Sequence, residues 1–141
     1  MRNDESLLLE AARAAERSHD YPAAFDAWQQ LAPASNRPDY LCKLGRAAER
    51  LGRWTDGEKA FLDAIKVDKT FSLAMALLGS LFLRRTDGDP STNARTAKAW
   101  LKEALAAGPS PMSLSLLGAV HNRLGEKEAA RKAFRKSNRA R

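Results

Sequence analysis

A leucine–glycine pair recurs at three equivalent positions of this 141-residue chain, residues 44–45, 78–79 and 117–118, and constrains its fold more than any other feature. Residues 41–52, LCKLGRAAERLG, and residues 114–125, LSLLGAVHNRLG, share the form L-x-x-L-G-x-x-x-x-R-L-G. A third pair lies between them in MALLGSLFLRR, residues 75–85, so the three glycines stand 34 and 39 residues apart. A period of this length indicates an array of supersecondary units, each of which covers the apolar face of its neighbour.

Each leucine–glycine pair is followed by a second apolar segment with a small residue at its start. These small residues follow their glycines by 12, 18 and 12 residues and are Gly57, Ala97 and Ala130. The middle unit therefore carries six extra residues. We place this insertion in the turn at residues 86–92, TDGDPST, because turn-forming residues cluster there.

A fainter copy precedes these three, with Ala12 at the glycine position and Ala24 twelve residues later. The sequence thus predicts four units within a single domain, residues 1–141. Their approximate bounds are 5–37, 38–71, 72–110 and 111–141.

Each unit has the pattern of two short amphipathic helices. In the second unit Leu41, Leu44 and Ala48 fall on one helical stripe, with Gly45 at its edge. In the fourth unit Ser110-Pro111 reads as a helix cap followed by proline at the first helical position. Valine and isoleucine, which strands favour, are almost absent. We expect an all-α fold of eight helices in which the glycines allow close helix contact.

This pattern resembles the tetratricopeptide repeat, whose helix pairs span 34 residues. The resemblance is carried by the three leucine–glycine pairs and by the small residue and the large apolar residue of each second helix. It covers nearly the whole chain, although Lys69 stands where the family has a proline. It implies an α-solenoid, a right-handed superhelix of helix pairs, whose first helices line a concave groove that binds peptides or protein segments.

On this reading the groove is lined by the face of each first helix opposite its leucine–glycine stripe. Arg17, Arg50, Arg84 and Arg123 recur at the same site in all four units and predict a basic edge. Such an edge suits carboxylates, but arginine also suits any helix C-terminus. An apolar centre is predicted beside it. The groove residues expected to contact a partner are Leu9, Arg13, Arg17, Cys42, Arg46, Arg50, Leu73, Ala76, Leu83, Arg84, Met112, Asn122 and Arg123.

No residue pattern motivates an enzyme, a cofactor or a metal site. His19, His121 and Cys42 are the only candidates for nucleophilic or metal chemistry, and they have no ligand spacing and no nucleophile–base pairing. We place His19 in a turn and His121 at a core position. The expected function is a non-enzymatic adaptor or scaffold that binds a protein segment with acidic and apolar residues.

The net charge of +7 leaves two alternatives open. A basic C-terminal segment, ARKAFRKSNRAR, suits nucleic acid, although a polar cap on the last helix of the array explains it as well. The apolar groove or an uncapped end could instead serve self-association. One cysteine and no long apolar run are consistent with a cytoplasmic protein without membrane insertion.

Overall fold

The computed structural model describes residues 2–140, and within that range it contains eight helices and no strand. The all-α prediction of four helix pairs is confirmed. The helices are α1 (Arg2–Arg17), α2 (Tyr21–Ser35), α3 (Pro38–Arg50), α4 (Trp54–Val67), α5 (Ser72–Arg84), α6 (Pro90–Ala107), α7 (Pro111–Arg123) and α8 (Lys127–Ala140).

The helices form two compact units, unit 1 (Met1–Lys69) and unit 2 (Thr70–Arg141). In unit 1 the pairs are α1–α2 and α3–α4, and α2 packs against α3. In unit 2 the pairs are α5–α6 and α7–α8, α6 packs against α7, and the first helices α5 and α7 also contact each other. The single domain expected from the sequence stays a prediction.

The three repeated glycines are close-contact points, as predicted. A Cβ atom at Gly45 would overlap the ring of Phe61 in α4, and one at Gly118 would lie 2.7 Å from Phe134 Cε1 in α8. At Gly79 the added atom would lie 2.5 Å from Leu101 Cγ in α6. In these three pairs the second helix therefore presses a large apolar side chain onto the bare backbone of the first helix.

The six extra residues of the third pair divide between turn and helix. The turns within the other three pairs contain three residues each, whereas residues 85–89 separate α5 from α6. The other four residues extend α6, which has 18 residues where α4 and α8 have 14. Pro90 opens this extension, and the Asp89 carboxylate accepts the Thr92 N–H at 2.8 Å, so a proline and a cap nucleate helix where a loop was expected. The predicted cap at Ser110 is confirmed, because its hydroxyl accepts the Ser113 N–H at 3.1 Å.

Two residues expected to face a partner belong instead to the interior. Cys42 is 3% exposed and Ala76 is 1% exposed. In unit 2 the reason is the contact between α5 and α7, which covers part of the side of α5 that a single-helix view leaves open. Leu83 packs against the cluster of Ala97, Leu101, Leu117, Val120 and Ala133 and is half-buried.

None of the helices in the described part of the chain has the length and apolar composition needed to cross a bilayer.

The glycine contact in unit 2 makes a first prediction. Gly118→Ala should destabilise the protein, because overpacking of the new methyl group against Phe134 costs about 1–3 kcal/mol. This loss should outweigh the roughly 1 kcal/mol that alanine gains over glycine in a helix. Urea unfolding followed by circular dichroism measures the change. Gly118→Ala combined with Phe134→Leu should cost less than the sum of the two single changes, and strict additivity would contradict the contact.

The burial of Cys42 makes a second prediction. Burial raises the pKa of the Cys42 thiol to about 12, so almost no thiolate is present at neutral pH. The native protein should react with a disulfide reagent at least about a hundredfold more slowly than the protein in urea. As a control, Ala99→Cys in a Cys42→Ser background places a thiol at an exposed position of α6 and should react quickly. Rapid labelling of native Cys42 would contradict its place in the core.

Candidate functional site

A cleft in unit 1 joins the end of α1, the following turn, the start of α2 and one side of α3. Its volume is about 290 Å³. The residues that line it are Glu16, His19, Tyr21, Ala24, Lys43, Arg46, Ala47 and Arg50. Ala24 and Ala47 are buried and form its floor, while the long charged side chains form its walls.

The walls of the cleft are strongly cationic. Lys43, Arg46 and Arg50 lie on α3 at intervals of three and four residues, so the helix presents all three on one side. The single carboxylate in the lining, Glu16, accepts a hydrogen bond from Trp28 Nε1 at 3.0 Å and lies 3.7 Å from Lys43 Nζ. The hydrogen bond from Trp28 thus holds Glu16 in place. The three cationic side chains of α3 outweigh its single negative charge, so the lining of the cleft is positively charged.

The turn after α1 shapes one end of the cleft. His19 has φ 58°, in the left-handed region, and the chain reverses there so that α2 begins at Tyr21. The His19 Nδ1 atom and the Tyr21 hydroxyl lie 3.3 Å apart, within hydrogen-bond distance. The Arg50 guanidinium carbon stands 5.3 Å from the centre of the Tyr21 ring, which is cation–π geometry. The prediction of His19 in a turn is confirmed.

Such a cleft can hold a carboxylate. Two exposed guanidinium groups offer forked N–H donors that match carboxylate oxygens, and the tyrosine ring restricts where Arg50 can point. Each exposed ion pair contributes only about 0–1 kcal/mol. Such ion pairs would orient a bound carboxylate more than they would hold it, so that affinity would have to come from several contacts together.

An exposed apolar surface lies on the first helices of unit 2. Leu73 is 40% exposed at the start of α5, and Met112 is 41% exposed at the start of α7. The two residues hold equivalent positions, each being the second residue of its helix, and α5 contacts α7. Leu73 and Met112 therefore form the exposed part of the predicted apolar centre, whereas Ala76 is buried and Leu83 is mostly used in packing.

The four repeated arginines are the last residues of α1, α3, α5 and α7. All four are exposed. Arg123 donates from Nη1 to the Leu83 carbonyl at 3.1 Å and so satisfies a carbonyl in the last turn of α5. Arg50 and Arg123 thus also contact their own units, as arginines at helix ends commonly do.

The remaining predicted contact residues lie apart from the cleft lining. Arg13 and Arg17 are exposed on α1, Asn122 is exposed on α7, and Leu9 is half-buried on α1. Sequence reasoning missed Lys43 and Tyr21 as cleft residues. The spacing of residues 43, 46 and 50 on one helix is the signal that identifies the cationic wall.

His121 occupies a core position, as predicted. It is 8% exposed, and its Nδ1 lies 2.7 Å from Glu126 Oε1. Glu126 also accepts from Lys98 Nζ at 3.1 Å, and hydrogen bonds from His121 and Lys98 lower the pKa of the Glu126 carboxyl. The histidine thus joins α7 to α6 through the turn. Among the described side chains, no three His, Cys, Asp or Glu residues cluster as a metal site would require.

Comparison with known proteins agrees with this architecture. The family model described as tetratricopeptide repeat matches residues 42–90. No curated protein sequence matches the chain significantly.

Solved structures extend the likeness to the fold of the chain. A crystal structure of MamA matches with a TM-score of 0.81 at 16% identity, covering 99% of this chain and 79% of that one. A second MamA structure has a TM-score of 0.78 at 22% identity and covers 97% of this chain and 73% of that one. MamA from Desulfovibrio magneticus RS-1, residues 41 to the end, matches at 0.78 with 20% identity, covering 95% and 73%. The family-model match confirms the resemblance to the tetratricopeptide repeat over residues 42–90, and the solved structures show that the rest of the chain shares the same fold.

Proposed function

We propose that this protein is an interaction scaffold whose unit 1 cleft binds an acidic segment of a partner protein. The observation that carries the proposal is the cationic wall of Lys43, Arg46 and Arg50 around a cleft of about 290 Å³. The tetratricopeptide repeat, present in residues 42–90, supports a protein partner.

The shape of the cleft favours an acidic side chain over a small free anion. The cleft is open, its cations project from one exposed helix face, and Glu16 remains inside it beside Lys43. A small anion would gain only solvent-screened ion pairs there. A peptide gains the same ion pairs and can also cover Tyr21 and the alanine floor, which adds apolar burial at roughly 25 cal/mol per Å².

Charge reversal tests the cleft. Arg46→Glu with Arg50→Glu should weaken binding of a short fluorescent peptide rich in glutamate and leucine by about tenfold or more, because the wall then repels carboxylates. Fluorescence anisotropy measures the dissociation constant, and added salt should weaken wild-type binding.

A matched control separates the cleft from the overall charge of unit 1. Lys66→Glu with Lys69→Glu makes the same charge change at exposed positions outside the cleft. These variants should bind the peptide nearly as the wild type does. Equal losses in both double variants would show non-specific attraction and contradict the cleft model.

The apolar surface of unit 2 supplies a second contact in this proposal. Leu73→Glu should weaken capture of a protein partner while thermal stability stays within about 0.5 kcal/mol, because Leu73 is exposed. Leu83→Glu should instead destabilise unit 2, because Leu83 packs against the core cluster. Calorimetric titration and thermal unfolding distinguish the two effects. Unchanged capture by Leu73→Glu would remove this surface from the proposal.

A further inference from the structure

The contact between successive helix pairs occurs once inside each unit, and the two versions are equivalent. Each residue of α3 corresponds to the residue of α7 whose number is 73 higher, as Gly45 corresponds to Gly118. In unit 1 α2 packs against α3, and in unit 2 α6 packs against α7. The corresponding first-helix residues are covered in both units: Leu44 and Ala47 in α3, and Leu117 and Val120 in α7, are at most 9% exposed.

The same face is uncovered on α1. Ala12 takes the glycine position, so Leu7, Ala11 and Ala14 correspond to Tyr40, Leu44 and Ala47 of α3. Leu7 is 62% exposed, and Ala11 and Ala14 are exposed as well. The counterparts of these residues in α3 are buried, apart from the half-buried Tyr40, so the exposure of Leu7, Ala11 and Ala14 marks an unpartnered helix face.

The other side of the contact between successive pairs is formed by the second helix of a pair, and the equivalent face of α8 is uncovered. Each residue of α2 corresponds to the residue of α8 whose number is 106 higher, as Ala24 corresponds to Ala130. Phe25 and Gln29, which line a cleft between α2 and the α3–α4 pair, thereby correspond to Arg131 and Arg135. Both arginines are exposed, and Arg131 pairs locally with Glu128. The face of α8 that corresponds to a pair-to-pair contact surface is therefore cationic.

The two internal contacts show which residue each arginine would meet. In unit 2 Lys98 of α6 donates to Glu126, 28 residues later, in the turn before α8. In unit 1 the equivalent pair is Phe25 and Arg53, with the guanidinium carbon 4.3 Å from the ring centre. Arg131 corresponds to Lys98, and Asp20 of α1–α2 corresponds to Glu126. A second copy that presented its α1 face to α8 would thus place a carboxylate opposite Arg131.

A second charge pair follows from the cleft of about 150 Å³ in unit 1 that Gln29 and Lys59 both line. Their counterparts across two copies are Arg135 of α8 and Asp26 of α2, which are both exposed.

The net charges of the two units are also complementary. Unit 1 has 11 basic and 12 acidic residues, a net charge of −1, whereas unit 2 has 13 basic and 5 acidic residues, a net charge of +8.

We propose that two copies of this chain associate head to tail, with one surface of the first helix pair packed against α8 of the next copy. This surface, called the α1 face, consists of Leu7, Ala11 and Ala14 of α1, Asp20 of the following turn and Asp26 of α2. Arg131 meets Asp20, Arg135 meets Asp26, and Leu7 covers the half-buried ring of Phe134. The contact repeats the α2–α3 and α6–α7 contacts between copies. Such an interface is heterologous, so it leaves one free α1 face and one free α8 face at the ends of each oligomer.

The size distribution of the chain tests this arrangement. In sedimentation velocity the wild type should form dimers and longer oligomers as its concentration rises at low salt. High salt should return it to monomer, because the exposed charge pairs are screened. Ala11→Glu, which places a charge on the apolar face of α1, should raise the dissociation constant by about tenfold or more. Arg131→Glu with Arg135→Glu should do the same from the α8 side.

Mixing the two blocked variants gives the decisive measurement. Ala11→Glu keeps an intact α8 face, and Arg131→Glu with Arg135→Glu keeps an intact α1 face. Their mixture should form a one-to-one dimer that does not grow further, although each variant alone is monomeric. A charge exchange gives a further test. Arg135→Asp alone should weaken association, and adding Asp26→Arg to the same chain should restore it. Circular dichroism on each variant confirms that the helices are retained.

Arg95→Glu with Lys102→Glu is the matched control, since it makes the same charge change at exposed positions of α6, outside α8. It should associate like the wild type. A wild type that stays monomeric at high concentration and low salt would overturn the proposal. So would association that both blocked variants retain. A wild-type monomer that shifts a duplex DNA probe, with the shift lost in Arg131→Glu with Arg135→Glu, would assign the α8 face to nucleic acid and also overturn it.

Discussion

The packing of a large apolar side chain onto a bare helix backbone is the interaction on which the rest of this structure depends. Gly45 receives Phe61 and Gly118 receives Phe134, while Gly79 receives Leu101. Glycine costs about 1 kcal/mol in a helix, and burial of one such side chain contributes roughly 1.5–3 kcal/mol. The contact therefore stabilises these three helix pairs and sets how the two helices of each are rotated against each other.

That rotation decides which faces remain for binding. Within their units α3 and α7 pack against the second helix of the preceding pair, and other parts of the first helices are left for solvent or a partner. In unit 1 these parts carry Lys43, Arg46 and Arg50, and the turn at His19 closes one end of the cleft that they line. In unit 2 they carry Leu73 and Met112, with only part of the apolar pattern exposed. The two units thus offer different chemistry from one repeated plan.

Some charged side chains stabilise the fold, whereas others are available to bind a partner. Arg123 satisfies the Leu83 carbonyl near the end of α5, and Glu126 joins His121 to Lys98 across three segments of unit 2. These side chains stabilise the contacts between the two helix pairs of unit 2. Exposed cations also line the unit 1 cleft and cover one face of α8, and the two proposed contact surfaces use these side chains.

The order of the residues alone determined the helices, the glycine contacts, the turn at His19 and the core place of His121, because each of these depends on spacing within one or two helices. The tertiary structure decided the surfaces. Cys42 and Ala76 fall on the outward side of a single helix but are buried, since a helix in an array is covered on more than one side. Tyr21 joins Arg50 only because a left-handed residue folds α2 back toward α3. A helical wheel records direction around one axis, whereas exposure depends on where the neighbouring helices lie.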